Sequence, residues 1–306
     1  MSTTFAAAAA GFVRDLEEDF ARIEGLVDDA RARGVDLLAL PEAALGGYLS
    51  SLHDVGGPGD GPDVPPQLDL DGPEIRRLAG LAGDMVVTAG FCERGDGASG
   101  GLPYNSCVAV TGDGVLGHHR KVHQPLNENN SYAAGDRFGA FETPVGRIGM
   151  MICYDKAFPE AARALAVDGA RTVVCMSAWP ASRTNQAPVL ADDRWTRRFD
   201  LFDRARALEN QIVWVSANQA GTFGDMRLVA SAKIVDPGGE VLDTTGTEAG
   251  LAVASLDVDD AVDSARRFMG HLRDMRPTSY GPTGAEPPVV PGAEPLLVAA
   301  GPTWSG

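Results

Sequence analysis

The chain has 306 residues, 44% of them hydrophobic and 22% charged, which is the make-up of a folded globular protein and excludes collagen-like, coiled-coil and wholly disordered chains. With 26 basic against 42 acidic residues the net charge is −16, a field that repels phosphate and disfavours nucleic acid or an anionic membrane as partner. No apolar run approaches the roughly 20 residues of a membrane span, and Ala6–Ala10 lacks the preceding Lys or Arg of a signal peptide. The chain therefore reads as cytoplasmic.

The opening pattern is strand, helix, strand. After an Ala-rich stretch, Leu16, Phe20, Ile23, Val27 and Ala30 recur at helical spacing and Gly34 supplies a stop. Val35–Leu40 is a nearly continuous apolar run, as in a strand covered on both faces, and it ends at Pro41-Glu42. Residues 54–66, rich in Gly and Pro, read as a surface loop. A helix over Pro73–Ala82, a strand over Met85–Phe91 and a hairpin (Ser106–Val110 with Val115–His118, turning at Gly112-Asp113-Gly114) lead to Lys121.

Further along, the alternation repeats: strand Ile148–Cys153, a helix from Pro159-Glu160, strand Thr172–Met176, a long helix over Asp193–Asn210 and strand Ile212–Ala217. The long helix sets Trp195, Phe199, Phe202 and Leu208 on roughly one face. A hairpin at Pro237-Gly238-Gly239 and a last strand over Leu251–Val258 complete the pattern. Alternation mixed with hairpins predicts an α/β fold with mixed sheets. One domain is expected over residues 1–275. Residues 276–306 form a Pro/Gly-rich C-terminal arm whose Val289, Val290 and Leu296–Val298 predict packing on the body or on a neighbouring subunit.

Four cysteines, at 92, 107, 153 and 175, have neither C-x-x-C nor zinc-type spacing, which argues against a disulfide framework or a metal cluster. Cys92, Cys107 and Cys175 lie in apolar runs and read as buried thiols. Cys153 stands where a strand gives way to a turn, a place that holds a nucleophile rigidly beside backbone N–H donors. Taken alone, a buried thiol at a strand end accounts for it better. Thiols need activation at neutral pH, and Lys121, in HHRKVH, is a candidate cation, although a solvated basic patch is the commoner meaning of such a run. Glu42 is placed to be a half-buried general base; Pro-Glu also marks an ordinary helix start.

Together, LLALPE around Glu42, HHRKVH around Lys121 and GMMICYDKAFPE around Cys153 resemble the nitrilase, or carbon–nitrogen hydrolase, superfamily. The similarity runs from the first helix to about Val258 and includes RARALEN at 204–210 and Ala217-Asn218. It implies a four-layer α-β-β-α sandwich with two mixed β-sheets, a homodimer or higher homo-oligomer formed through helices, and a site without cofactor or metal. Carried over residue by residue, Cys153 is the nucleophile, Glu42 the general base, Lys121 the stabiliser of the tetrahedral intermediate, and Glu128 a second glutamate that orients lysine or substrate.

Family members that cleave nitriles usually carry Trp-Glu after the cysteine; Tyr154-Asp155 here is nearer the amidase branches. The ω-amidase type usually has an arginine where this chain has Ala157, beside Lys156, so it is a poor match. Tyr154, Trp179 and Arg183 follow strand ends on the catalytic side and are candidates for the pocket wall or for a substrate carboxylate. The expected activity is hydrolysis of a small amide through a Cys thioester, with a nitrilase or an N-carbamoyl amine hydrolase as alternatives. A non-catalytic binding scaffold and a Cys153–His123 thiol hydrolase are the readings from other classes.

Overall fold

A computed structural model of the chain describes residues 2–52 and 64–280. It divides into two compact units, residues 1–273 and 274–306. The described part of the second carries a short 3-10 turn, Pro277–Ser279, and the apolar groups expected of the C-terminal arm lie outside the described residues. So does most of the loop expected at 54–66.

In the first unit, β1 (Ser2–Ala10) is a strand built largely of alanine, a residue with little strand preference of its own. Its position explains the composition. β1 pairs with a strand on each edge and is buried on both faces: Phe5, Ala7 and Ala9 join one apolar cluster and Ala6, Ala8 and Ala10 another, as the two-residue period of a strand requires. Small side chains leave room for the layers packed on either side. α1 (Leu16–Ala32) starts at Asp15, whose carboxylate accepts the Glu17 and Glu18 N–H groups, and Gly34 follows at φ +66°. It lays Phe20, Ile23, Val27 and Ala30 onto the second cluster.

The remaining elements follow the expected order. β2 (Leu37–Ala39) is shorter than the apolar run that predicts it; α2 (Pro73–Ala82) begins on a proline whose missing N–H costs nothing there. β3 (Val86–Glu93) precedes the hairpin of β4 (Tyr104–Thr111) and β5 (Gly114–Arg120). β6 (Ala140–Thr143) and β7 (Gly146–Ile152) form a second hairpin, then come α3 (Pro159–Val167), β8 (Thr172–Ser177) and α4 (Arg194–Asn210), capped by Asp193. β9 (Val213–Phe223), β10 (Met226–Val229), β11 (Lys233–Val235), β12 (Val241–Thr244), β13 (Gly250–Asp257) and α5 (Val258–Arg266) complete the unit. The sequence reading did not include β6, β10 or α5. Along α4, Phe199 is buried as expected, but Leu208 is 49% exposed.

The strands form one large mixed sheet. Its hydrogen-bonded path runs β5-β4-β3-β2-β1-β9-β8-β7-β6, with β13 on β1, β10 and β11 on β9, and β12 on β11. Strands joined through helices pair in parallel, β1 with β2 and β7 with β8 with β9, whereas hairpin neighbours pair antiparallel. The central apolar cluster draws on both halves of this path, from Phe5, Leu37 and Cys107 to Met150, Val174 and Val215. The carboxyl ends of β2, β7 and β8 lie on either side of the β1–β9 pairing, where an α/β sheet presents its ligand crevice.

At that edge the chain after β2 continues against β3: Leu40 N–H bonds Thr88, and Gly90 N–H bonds Pro41. A Cβ on Gly90 would stand 2.4 Å from Ala43 N and 2.7 Å from Glu42 Cα, backbone atoms that cannot yield as a side chain would. Gly90→Ala is therefore expected to cost about 1–3 kcal/mol by overpacking, read as a lower urea midpoint; an unchanged midpoint would refute the close approach.

Candidate active site

The site forms where five stretches of chain end at the same edge. Glu42 follows β2, Asn105 sits on β4, Lys121 follows β5, Glu128 opens the 3-10 turn Glu128–Asn130, and Cys153 follows β7. Lys121 is held in place through its backbone, N–H to Asn105 and C=O to the Gly135 N–H, both at 2.8 Å.

Glu42, Lys121 and Glu128 are all fully buried, and burying a lone charge is prohibitively expensive. The arrangement answers this with partners. Lys121 Nζ donates to Glu42 Oε1 at 2.9 Å and to Glu128 Oε1 at 3.0 Å. Asn105 Nδ2 bridges the same two oxygens, at 2.7 and 2.8 Å. Glu42 Oε2 takes the Ala178 N–H at 2.6 Å, just beyond β8, and the Tyr48 hydroxyl donates to Glu128 Oε1 at 2.8 Å. Gln219 Nε2, on β9, donates to the Glu42 carbonyl at 2.8 Å. The result is one ammonium shared by two carboxylates.

The electrostatics follow. Burial works to discharge Lys121, but Glu128 and Glu42 overcome it and hold the ammonium well above the usual lysine range. Burial, aided by the Glu42 charge, pushes the Glu128 carboxyl up against the pull of Lys121. Burial and then the charges of Glu128 and Glu42 keep the Tyr48 hydroxyl protonated, as its donor role requires.

Cys153 has φ +50°, a left-handed conformation that costs a non-glycine residue about 1–3 kcal/mol and persists only where the surroundings impose it. It opens the 3-10 turn Cys153–Ala157. Asp155 fixes that turn: its carboxylate accepts the Ile152 N–H at 3.1 Å and the His123 N–H at 2.9 Å, and meets His119 Nε2 at 3.2 Å and His123 Nδ1 at 2.9 Å. Burial would raise the Asp155 carboxyl, but the bonds to His119 and His123 hold it well below the usual carboxylate range. His123 is thus engaged by Asp155. The Cys153 thiol is pushed well above its ordinary value by burial and by Glu42, with Lys121 pulling the other way.

A cavity of about 410 Å³ opens on Cys153. Tyr48 and Ala178, both bonded to the buried carboxylates, also line it, as do Tyr154 and Trp179. Arg183 is exposed and lines a small neighbouring cavity of about 40 Å³; the arginine that lines the larger one is Arg198, on α4. Among the sequence-derived candidates the structure brings together Glu42, Lys121, Glu128 and Cys153, with Tyr154 and Trp179 in the cavity beside them. Asn105, Tyr48, Gln219 and Arg198 are absent from the sequence reading, and Asp155 entered it only as the residue after Tyr154 in the pair that follows the cysteine. Asn105 left a trace, a lone amide at the head of the apolar run of β4; Tyr48 and Arg198 left none.

Comparison with known proteins gives the class to which this fold belongs. The model of the carbon–nitrogen hydrolase family matches residues 4–266. A probable nitrilase of Schizosaccharomyces pombe is 33% identical over 69% of this chain and 74% of its own. An (R)-stereoselective amidase of a Pseudomonas species is 32% identical over 80% of this chain and 81% of its own. The fold matches the crystal structure of a carbon–nitrogen hydrolase from Helicobacter pylori G27, with a TM-score of 0.78 and 23% identity over 92% of this chain and 97% of that one. The chain belongs to the carbon–nitrogen hydrolase family.

Removing the shared cation tests the charge balance. Lys121→Met strands two buried carboxylates and is expected to cost about 3–5 kcal/mol in urea unfolding. Adding Glu128→Gln should recover part of that loss; strictly additive losses would show that the lysine does not couple the two glutamates.

Proposed function

We propose that the protein is a thiol amidase that hydrolyses the C–N bond of a small amide, with Cys153 as nucleophile, Glu42 as general base and acid, Lys121 as stabiliser of the tetrahedral oxyanion and Glu128 as the group that positions Lys121. The observation that carries the reading is the Lys121 ammonium held between the two buried carboxylates at the edge where Cys153 opens onto the cavity.

The chemistry follows from these groups. The thiol is protonated at neutral pH because burial and Glu42 raise it, so a base must take its proton as sulfur attacks the amide carbon. Glu42 accepts that proton, and the carbonyl oxygen gains negative charge facing Lys121 and the backbone N–H groups of the following turn. When the intermediate collapses, the C–N bond breaks, Glu42 returns the proton to nitrogen, and ammonia or an amine leaves a thioester on Cys153. Water then adds to the thioester carbon and gives a proton to Glu42; the C–S bond breaks, the thiolate recovers that proton, and the acid departs. Lys121 keeps its proton throughout, as a cation bound by two carboxylates should.

The same resemblance supports a four-layer α-β-β-α arrangement, the two halves of the sheet forming the inner layers around the central cluster. The amidase relative and the Tyr154-Asp155 pair favour amides over nitriles.

Ammonia release from a panel of amides, N-carbamoyl amines and matching nitriles tests the proposal. Cys153→Ala should abolish it and Glu42→Gln should lower kcat by about 10²–10⁴-fold. Full activity in Cys153→Ala, or turnover of nitriles alone, would refute the amidase reading.

A further inference from the structure

The walls of the cavity speak to what the enzyme would hydrolyse. We infer, resting on the amidase reading above, that its substrates are primary carboxamides with a bulky, uncharged, apolar acyl group. Among the described side chains that line the cavity, Arg198 alone carries a charge, and it is exposed. The polar atoms nearest the carboxylates are already committed, the Tyr48 hydroxyl to Glu128 and the Ala178 N–H to Glu42. Among the described residues an ammonium on the acyl group would enter this space without a partner, and a carboxylate would find only Arg198, whose charge is already solvated by water; leaving water on those terms opposes binding. An apolar group instead gains by leaving water.

The wall is aromatic and fixed. Trp179 meets Trp195 and Phe202 edge-on, with ring centroids 6.4 and 6.1 Å apart, and its Nε1 donates to the Trp195 carbonyl at 3.1 Å. Trp195 and Phe202 belong to α4, and α4 is tied to the nucleophile's turn: Lys156 Nζ bonds Asp203 at 2.7 Å, both fully buried. Asp203 also takes the Lys233 ammonium at 3.0 Å and the Trp214 indole N–H at 2.9 Å. Moving the wall away from Cys153 would break that ion pair, so the cavity is largely pre-formed, as sites that select by shape are. On the turn itself Ala157, a small residue, lines the space.

The leaving-group side is closed. Glu42, Lys121 and Glu128 are fully buried and none of them lines the cavity, so on this reading the cavity is the space for the acyl group, and ammonia, the smallest leaving group, is the one that departs toward Glu42. The acyl group therefore fills the cavity.

The test is kcat/KM of the wild type across acetamide, butanamide, pentanamide, hexanamide and phenylacetamide, with succinamate and 4-aminobutanamide as charged counterparts of pentanamide. The expected result is a rise of about fourfold for each added methylene, the factor that its burial is worth, with phenylacetamide among the best and both charged amides at least tenfold below pentanamide. Ala157→Phe, which fills part of the cavity, should lower the phenylacetamide-to-acetamide ratio by tenfold or more. A flat series, or a preference for either charged amide, would overturn the inference and leave the amidase reading standing. Ammonia from none of the amides would overturn both.

Discussion

A lysine ammonium placed where water does not reach must be neutralised by its surroundings, and that demand organises the edge at which Cys153 opens onto the cavity. Lys121 lies at the end of β5, while its two carboxylates come from the end of β2 and from a 3-10 turn after the β4–β5 hairpin. Each carboxylate needs further donors, because one ammonium cannot satisfy four oxygen lone-pair sites in a dry environment. Asn105, Tyr48 and the Ala178 N–H provide them, and so draw β4, the segment after β2 and the end of β8 to one point. The Gly90 backbone, lying under Glu42, permits the close approach.

Cys153 sits between two buried polar networks. On one side is the Glu42–Lys121–Glu128 group; on the other, Lys156 reaches from the turn of Cys153 to Asp203 on α4, where Lys233 and Trp214 converge. Asp155 adds a second restraint on that turn through His119 and His123. The buried bonds of Asp155 and Lys156, both within one five-residue turn, account for a cysteine held at positive φ, since only a strongly determined environment keeps a residue there. The Lys156–Asp203 bond also couples the turn of Cys153 to the helix that forms the cavity wall, so the position of the thiol and the shape of the cavity depend on one packing arrangement.

Much of this was visible in the chain. Apolar periodicity placed α1, α2 and α4 within a residue or two of their observed ends, because each helix buries one stripe and ends on a recognisable cap or stop such as Asp15, Gly34 or Asp193. The buried strands β3, β4 and β8 were similarly visible as apolar runs. β6 and β10 were not, since strands of four residues owe their existence to the partner they pair with rather than to their own pattern. α5 escaped because Asp257, its cap, ends a strand with no intervening loop. Leu208 shows the opposite failure: the buried stripe of α4 runs through Thr196, Phe199, Asp203, Ala207 and Asn210, and Leu208 lies off it on the exposed side of the helix.

The sequence by itself determined the alternation of helices and strands, the net charge, and the identities of a carboxylate, a lysine and a thiol each set just beyond a strand, since these depend on local pattern and residue type. Only the tertiary structure decided which of these groups meet. Glu42 and Lys121 touch because β2 and β5 end at the same edge of one sheet; Tyr48 joins them although nothing in its neighbourhood marks it; and Arg198 rather than Arg183 lines the larger cavity because of how α4 packs. Contacts between residues far apart in the chain are products of topology and packing, and no local pattern encodes them.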